Sequence, residues 1–223
     1  MGKQLNLKDK LIYEGKNRWL DIGCGGNFEE NFYYLDIFPK EVIDPLYQDK
    51  YFRTDIVNAS KEALKKLGKF DFIRMQHSLE HFSLEEGERT IKNCARLLKP
   101  GGVILITTPD LQIHARRYLQ KKSKRLKDFA SWAERRISED APASFYFSIF
   151  AHGIPYGGRH KWCYDYEGIK YQLQKCGGFE DVKKLDLDNS LASIPFTHNR
   201  PEEDVCVIAT KSRSGVWNRI WRK

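Results

Sequence analysis

The chain has 223 residues, 41% hydrophobic and 30% charged, with a net charge of +8. That balance suits a soluble globular protein with a sizeable core, and it excludes a largely disordered or collagen-like chain. No run of about 18 apolar residues predicts a spanning helix, and the first residues lack the apolar region of a signal peptide, so a cytoplasmic protein is expected.

At about 150 residues per domain the length predicts one elaborated domain over 1–223. Strand patterns begin at 18–23, an apolar run ending in glycine, and recur at 32–37, closed by Pro39, and at 51–56. A short helix at 60–67 carries Ala63, Leu64 and Leu67 on one face. A fourth strand at 70–76 precedes a helix opened by the capping box Ser83-Leu-Glu-Glu86, with Ile91, Cys94, Leu97 and Leu98 at helical spacing. Pro100-Gly101-Gly102 is expected to end that helix before a β-branched fifth strand at 102–108. Strands alternating with helices predict an α/β fold, a Rossmann-like, seven-stranded, mostly parallel sheet with helices on both faces.

The rhythm breaks after strand five. Residues 111–137 read as a basic amphipathic helix with Leu119, Leu126, Phe129, Ala133 and Ile137 along one side, followed by an aromatic, glycine-containing stretch. Together, 111–160 are expected to form a helical and aromatic lid or acceptor insertion, since excursions this long are more often functional than inert. Asp165 is placed to cap a helix through Lys175 that Gly177-Gly178 ends, and strands are expected near 180–187 and 204–211.

Charge is concentrated. Arg116, Arg117, Lys121, Lys122, Lys124, Arg125 and Lys127 follow one another with no acid between them, which leaves +1 for the rest of the chain. Such a run suits a solvated helix face or a phosphate-bearing partner. In the tail, 213–223, Trp217 and Trp221 alternate with Arg219, Arg222 and Lys223, a pattern that suits the inner face of a membrane. The five cysteines are odd in number, widely spaced and without CxxC, so free thiols are expected, four or more of them at least half buried. His152 and His160 have no third ligand at a regular spacing, so no metal site is expected.

The chemistry gathers at the strand ends. Asp21-Ile-Gly-Cys-Gly-Gly26 closes strand one, where glycines allow a tight turn and close approach to a ligand. Asp36 ends strand two, where a carboxylate can accept both hydroxyls of a ribose, and Asp55 ends strand three. Gln76 and His77 end strand four. A dinucleotide fingerprint fails, because GxGxxG would need glycine where Phe28 stands, and Asp36 follows Gly23 by 13 residues instead of about 20. Only residues 24–31 separate strands one and two, too few for a full crossover helix, so the first crossover is shortened to a turn.

These signatures, in this order, resemble the class I S-adenosylmethionine-dependent methyltransferases over about residues 17–110, with a weaker likeness to about 187. The resemblance rests on Asp21–Gly26, Leu35-Asp36, Thr54-Asp55, Phe70-Asp71-Phe72-Ile73, Ser78-Leu-Glu-His-Phe82 and Leu97-Leu-Lys-Pro-Gly-Gly-Val-Ile-Leu-Ile106. Arg159-His-Lys-Trp-Cys-Tyr-Asp165 is similar to a subgroup of small methyltransferases linked to cell-surface polysaccharide synthesis. The resemblance implies S-adenosyl-L-methionine as cofactor. The backbone of Gly23, Cys24, Gly25 and Gly26 would face its methionine part, and Asp21 would orient that part. Asp36 with Ile37 would hold the ribose, Asp55 with Ile56 the adenine, and Gln76 would flank the sulfonium.

Methyl transfer to an oxygen of a small-molecule or glycan-type acceptor is the activity expected, with His160, His77 and His81 as candidate bases and His160 favoured. Two alternatives follow from the basic segments: an RNA-directed methyltransferase using 116–127, and a non-catalytic cofactor-binding or membrane-docked partner protein. Nucleic acid ranks below the small or glycan acceptor, because strand four ends in neither Asn/Asp-Pro-Pro-Tyr nor Pro-Cys. The sequence leaves the oligomeric state open.

Overall fold

A computed structural model describes residues 14–26, 28–120, 160–185 and 202–213. Seven strands form one sheet in the order β3-β2-β1-β4-β5-β7-β6. They are β1 (Trp19–Ile22), β2 (Phe32–Asp36), β3 (Tyr51–Arg53), β4 (Phe70–Gln76), β5 (Leu98–Pro109), β6 (Phe179–Leu185) and β7 (Asp204–Lys211). β1 through β5 pair in parallel, while β7 runs antiparallel to both β5 and β6. The four helices among the described residues are α1 (Lys61–Leu67), α2 (Leu84–Leu97), α3 (Leu111–Gln120) and α4 (Tyr166–Gln172), the last continued by a wide turn through Gly177.

Local chemistry fixes the helix ends. The Ser60 hydroxyl accepts the Ala63 N–H at 3.1 Å and starts α1. At α2 the capping box is complete: Ser83 Oγ accepts the Glu86 N–H, and Glu86 Oε2 accepts the Ser83 N–H at 2.8 Å. Asp165 caps α4 through the Gly168 N–H at 2.8 Å, and Gly178 in the left-handed region (φ +62°) ends the turn after it.

The core lies on both faces of the sheet. Leu20, Ile22, Ile73, Met75, Ile104 and Ile106 face the helices, packing against Leu64, Ile91, Cys94, Leu97, Ile169 and Leu173. The opposite face is aromatic. Trp19 meets Phe32 and Phe72 edge-on, with centroids 5.4 and 6.0 Å apart, beside Tyr34 and Leu105. β4 is buried along nearly its whole length, as befits a central parallel strand covered on both sides.

The shortened first crossover is observed: no helix lies between β1 and β2 among the described residues. Phe28 covers that flank by stacking on Tyr47 (4.9 Å) and meeting Tyr34 edge-on (4.8 Å). Two sequence expectations are corrected. α2 ends at Leu97, not at Pro100, because Leu98 is already extended and paired with Phe70; the register then jumps to Phe72–Val103, so residues 99–102 bulge out within β5. In α3, Leu119, expected on the apolar side, is 78% exposed, and His114 is the buried residue instead. The rest of the 111–160 insertion up to 159, and the tail from 214 with Trp217 and Trp221, lie outside the described residues. No described helix is long and apolar enough to cross a membrane.

Candidate active site

The carboxyl ends of β1, β2 and β4 meet at one edge of the sheet, where an open α/β sheet binds its ligand. Gly23 takes a positive φ of +73°, and a methyl placed on it would lie 2.6 Å from Ser78 Cβ. Its missing side chain therefore serves close packing of β1 against the segment after β4. Gly25 (φ +58°) and Gly26 have open space where a Cβ would stand, which is the cradle a ligand can approach.

Asp36 is 9% exposed. Its Oδ2 accepts the Gly25 N–H at 3.0 Å and its Oδ1 accepts the Ile37 N–H at 2.7 Å. Burial pushes the carboxyl up, against these two bonds. A carboxylate has about four acceptor positions; Gly25, Ile37 and the Cys24 thiol occupy three, and one remains to receive a ribose hydroxyl, with Ile37 exposed beside it. The Cys24 thiol lies 3.9 Å from Asp36 Oδ2, and burial with that carboxylate drives its pKa far up. Asp55 is exposed, accepting from Val57 N (2.9 Å) and Asn58 Nδ2 (2.7 Å), where an adenine amino group can reach it. Ile56 does not join it at the surface: its side chain belongs to the core and its carbonyl accepts from Asn93.

Asp21 is buried in β1 opposite Arg74 of β4. Its Oδ2 lies 2.5 Å from the Arg74 guanidinium, which also bonds Glu29 and sits over the Phe32 ring at 4.5 Å. Burial raises the Asp21 carboxyl, and Arg74 pulls against that shift. Asp21 Oδ1 is buried with no hydrogen-bond partner among the described residues. An orphaned carboxylate oxygen suits an ammonium donor such as that of a methionine moiety. The glycine cradle, the spare acceptor position on Asp36 and this orphan together fit S-adenosylmethionine.

At the end of β4, Gln76 is half-buried and pairs with Thr107 of β5. His77 takes a positive φ of +49°, with Nε2 2.7 Å from Asp204 Oδ2 and Nδ1 3.3 Å from Glu80 Oε1. Burial opposes its charge, but the two carboxylates prevail and raise its pKa to about 9. Glu80 is 1% exposed. Burial alone would raise its carboxyl; His77, with His81 and His160 behind it, holds it below the usual range. The His81 and His160 rings meet edge-on at 4.8 Å. A shallow recess opens beside them, walled by Glu80, Thr108, Leu111, His114, His160 and Trp162.

The structure thus unites Asp36, Gly25 and Gly26 at one end and all three candidate histidines at the other. Sequence reasoning missed Arg74, Glu29, Glu80 and Asp204. A charged residue between Ile73 and Met75 in the middle of β4 was the available signal for Arg74, since a buried charge demands a partner; nothing local marked Asp204, 127 positions beyond His77. Of the basic run, Arg117 is occupied by Glu203 (2.9 Å) and the Glu202 carbonyl, while Arg116 is exposed; Lys121, Lys122, Lys124, Arg125 and Lys127 lie outside the described residues. All five cysteines are free, with only Cys163 exposed, as expected.

A family model described as a methyltransferase domain matches residues 5–148. Ubiquinone biosynthesis O-methyltransferases from strains of Coxiella burnetii are 28% identical over 121 residues, covering 48% of this chain and 46% of theirs, so the chain spans about half the length of the curated relatives it matches. An S-adenosylmethionine-dependent methyltransferase from Clostridium acetobutylicum is similar in structure with a TM-score of 0.53 at 14% identity, over 92% of this chain and 89% of that one. An O-methyltransferase family protein from Burkholderia thailandensis gives 0.50 at 13% identity, over 91% and 53%. At these identities the structural likeness is one of fold.

Proposed function

This chain belongs to the methyltransferase domain family and takes S-adenosylmethionine as its cofactor, and from that premise we propose that it methylates an oxygen of a small-molecule or glycan-type acceptor. The observation that carries the reading is the recess beside the ends of β4 and β5, where a buried carboxylate and two imidazoles converge. The O-methyltransferase names of the curated relatives agree with it.

When bound, the cofactor supplies a methyl on a sulfonium, an electrophile that needs only an aligned nucleophile. The chain's own residues bind and orient. Asp36 receives a ribose hydroxyl, Asp21 Oδ1 and the glycine turn receive the methionine part, and Asp55 meets the adenine amino group. Gln76 borders the sulfonium. Holding two reactants in a near-attack geometry is worth about 7–11 kcal/mol in favourable model cases.

His77 is disfavoured as the base, because Asp204 and Glu80 grip both of its ring nitrogens and favour its charged form. It acts as a fixed cation that keeps Glu80 and Asp204 in place. His81 and His160 remain to handle the acceptor hydroxyl.

The test is methyl transfer from labelled S-adenosylmethionine to a panel of phenols, sugar hydroxyls, amines and carbon acids. Label in an acid- and base-stable ether is the expected product. Transfer confined to nitrogen or carbon acceptors would overturn the reading. His160→Ala should keep S-adenosylhomocysteine affinity and lose turnover.

A further inference from the structure

Glu80, His81 and His160 bring one carboxylate oxygen and two imidazole nitrogens within 4.8 Å of one another. His160 is 79 positions from His81 in sequence, which is why no regular ligand spacing announced the group. We propose that these three side chains form a binding site for a divalent first-row transition ion, such as Mn²⁺, Co²⁺ or Zn²⁺, whose open positions face the acceptor recess.

The donor set selects the class of ion. Imidazole nitrogens suit first-row transition metals, whereas Mg²⁺ and Ca²⁺ prefer oxygen throughout. Tetrahedral ligands at about 2.0–2.2 Å from one ion stand about 3.3–3.6 Å apart, so closing on an ion from 4.8 Å asks for side-chain shifts of up to about 1 Å.

The backbone that carries the ligands is already fixed. The Glu80 carbonyl accepts the N–H of Lys161 at 2.7 Å and of Trp162 at 3.3 Å, which ties the His160 segment directly to the Glu80 turn. Lys161 Nζ reaches Glu86 at 2.9 Å, and the Leu111 N–H bonds the Tyr164 carbonyl at 2.8 Å. The carboxylate is aimed from behind: Thr108 donates to Oε2 at 3.0 Å and His77 lies against Oε1 at 3.3 Å. Such outer partners orient a ligand and are typical of built metal sites.

Three protein ligands are too few to close a coordination sphere. The remaining positions open on the recess walled by Thr108, His114 and Trp162, which is the arrangement of a catalytic ion, not a structural one. The role of the ion rests on the O-methylation reading, though the site itself does not. With the ion bound, His81 and His160 act on the acceptor hydroxyl as ligands of that ion and not as free bases: the hydroxyl beside it is acidified and gives its proton to solvent. Its oxygen then forms a bond to the methyl carbon as the methyl–sulfur bond breaks, and the electron pair stays on sulfur in the departing thioether.

The experiment strips the protein with EDTA and titrates it with Co²⁺, following the visible absorption of the bound ion, and with Mn²⁺, following loss of the free-ion electron-spin signal. One ion per chain is expected, with affinity falling at least tenfold in His81→Gln and in His160→Gln, while S-adenosylhomocysteine binding stays unchanged in both. His114→Gln, which removes a recess imidazole outside the triad, should leave ion affinity unchanged. No ion bound by stripped protein that still binds S-adenosylhomocysteine would overturn the site, and that result needs no variant to fold. Ion binding indifferent to both substitutions would overturn the ligand assignment. Ion binding without transfer to any hydroxyl would leave the site standing and remove the O-methylation reading instead.

Discussion

Replacing Arg74 with methionine tests how this sheet tolerates an acid at the centre of its first strand. Arg74 is 2% exposed and is held by Asp21 at 2.5 Å and by Glu29, with Phe32 beneath its guanidinium. Methionine keeps much of the volume but removes the cation, so Asp21 becomes an uncompensated buried carboxylate. Breaking a buried pair from one side costs about 3–5 kcal/mol. At roughly 2–4 °C per kcal/mol for a chain of this size, the melting temperature should fall by about 6–20 °C. Glu29, 24% exposed on its side chain, can turn to water and adds little. The double variant Arg74→Met with Asp21→Asn leaves no buried charge and should recover more than half of the loss. Urea unfolding of the wild type, both single variants and the double variant gives the coupling directly. An Arg74→Met protein within about 1 kcal/mol of wild type, or a double variant no better than the single, would refute the reasoning.

Other outcomes follow from the same geometry. Gly23→Ala forces a methyl to 2.6 Å from Ser78 Cβ at a positive φ and should cost about 1–3 kcal/mol, whereas Gly25→Ala meets only the backbone penalty and should cost about 1 kcal/mol, both read by urea unfolding. Ser83→Ala removes one arm of the α2 capping box and should cost about 1 kcal/mol, read the same way. Among the thiols, burial pushes Cys94 and Cys206 up to about 12 and Cys24 higher still, while Cys163 is exposed. An aromatic disulfide reagent at pH 8 should therefore titrate one fast thiol in the native protein, and Cys163→Ser should abolish that phase; two or more fast thiols in native protein would contradict the burial pattern.

Much of the fold was legible because its signals are local. Alternation of apolar runs with capped helices is written within windows of a dozen residues, as at Ser60, Ser83 and Asp165, whose caps all form. The shortened crossover could be counted directly, while its covering by Phe28 on Tyr47 could not, since stacking partners lie in different segments. The end of α2 is not legible locally, because Pro100-Gly101-Gly102 suits a helix stop and a bulge in a strand equally well, and only the pairing of Leu98 with Phe70 decides between them.

The strand-end acids and glycines proposed to hold the cofactor were legible in the sequence; that Gly23 also packs against Ser78 and that the Ile56 side chain lies in the core were not. The histidine end was legible only as three isolated residues. What joins them is the Glu80 carbonyl bonded to residues 161 and 162, and the Asp204 carboxylate arriving from β7. Contacts across such separations leave no periodicity and no spacing to read. Arg74 is the intermediate case: its charge stood out between Ile73 and Met75, but only the parallel register of β1 and β4 reveals Asp21 as its partner.

S-adenosylmethionine is proposed to lie at the ends of β1 and β2. Calorimetric titration of ligand-free protein with S-adenosylhomocysteine, beside Asp36→Ala, tests it most directly. The account predicts one site per chain in the wild type, a thermal stabilisation of about 2.7 kcal/mol at roughly 100 times Kd, and loss of both in the variant. Folded, ligand-free wild-type protein that takes up neither S-adenosylmethionine nor S-adenosylhomocysteine, or an Asp36→Ala variant that binds as the wild type does, would contradict it.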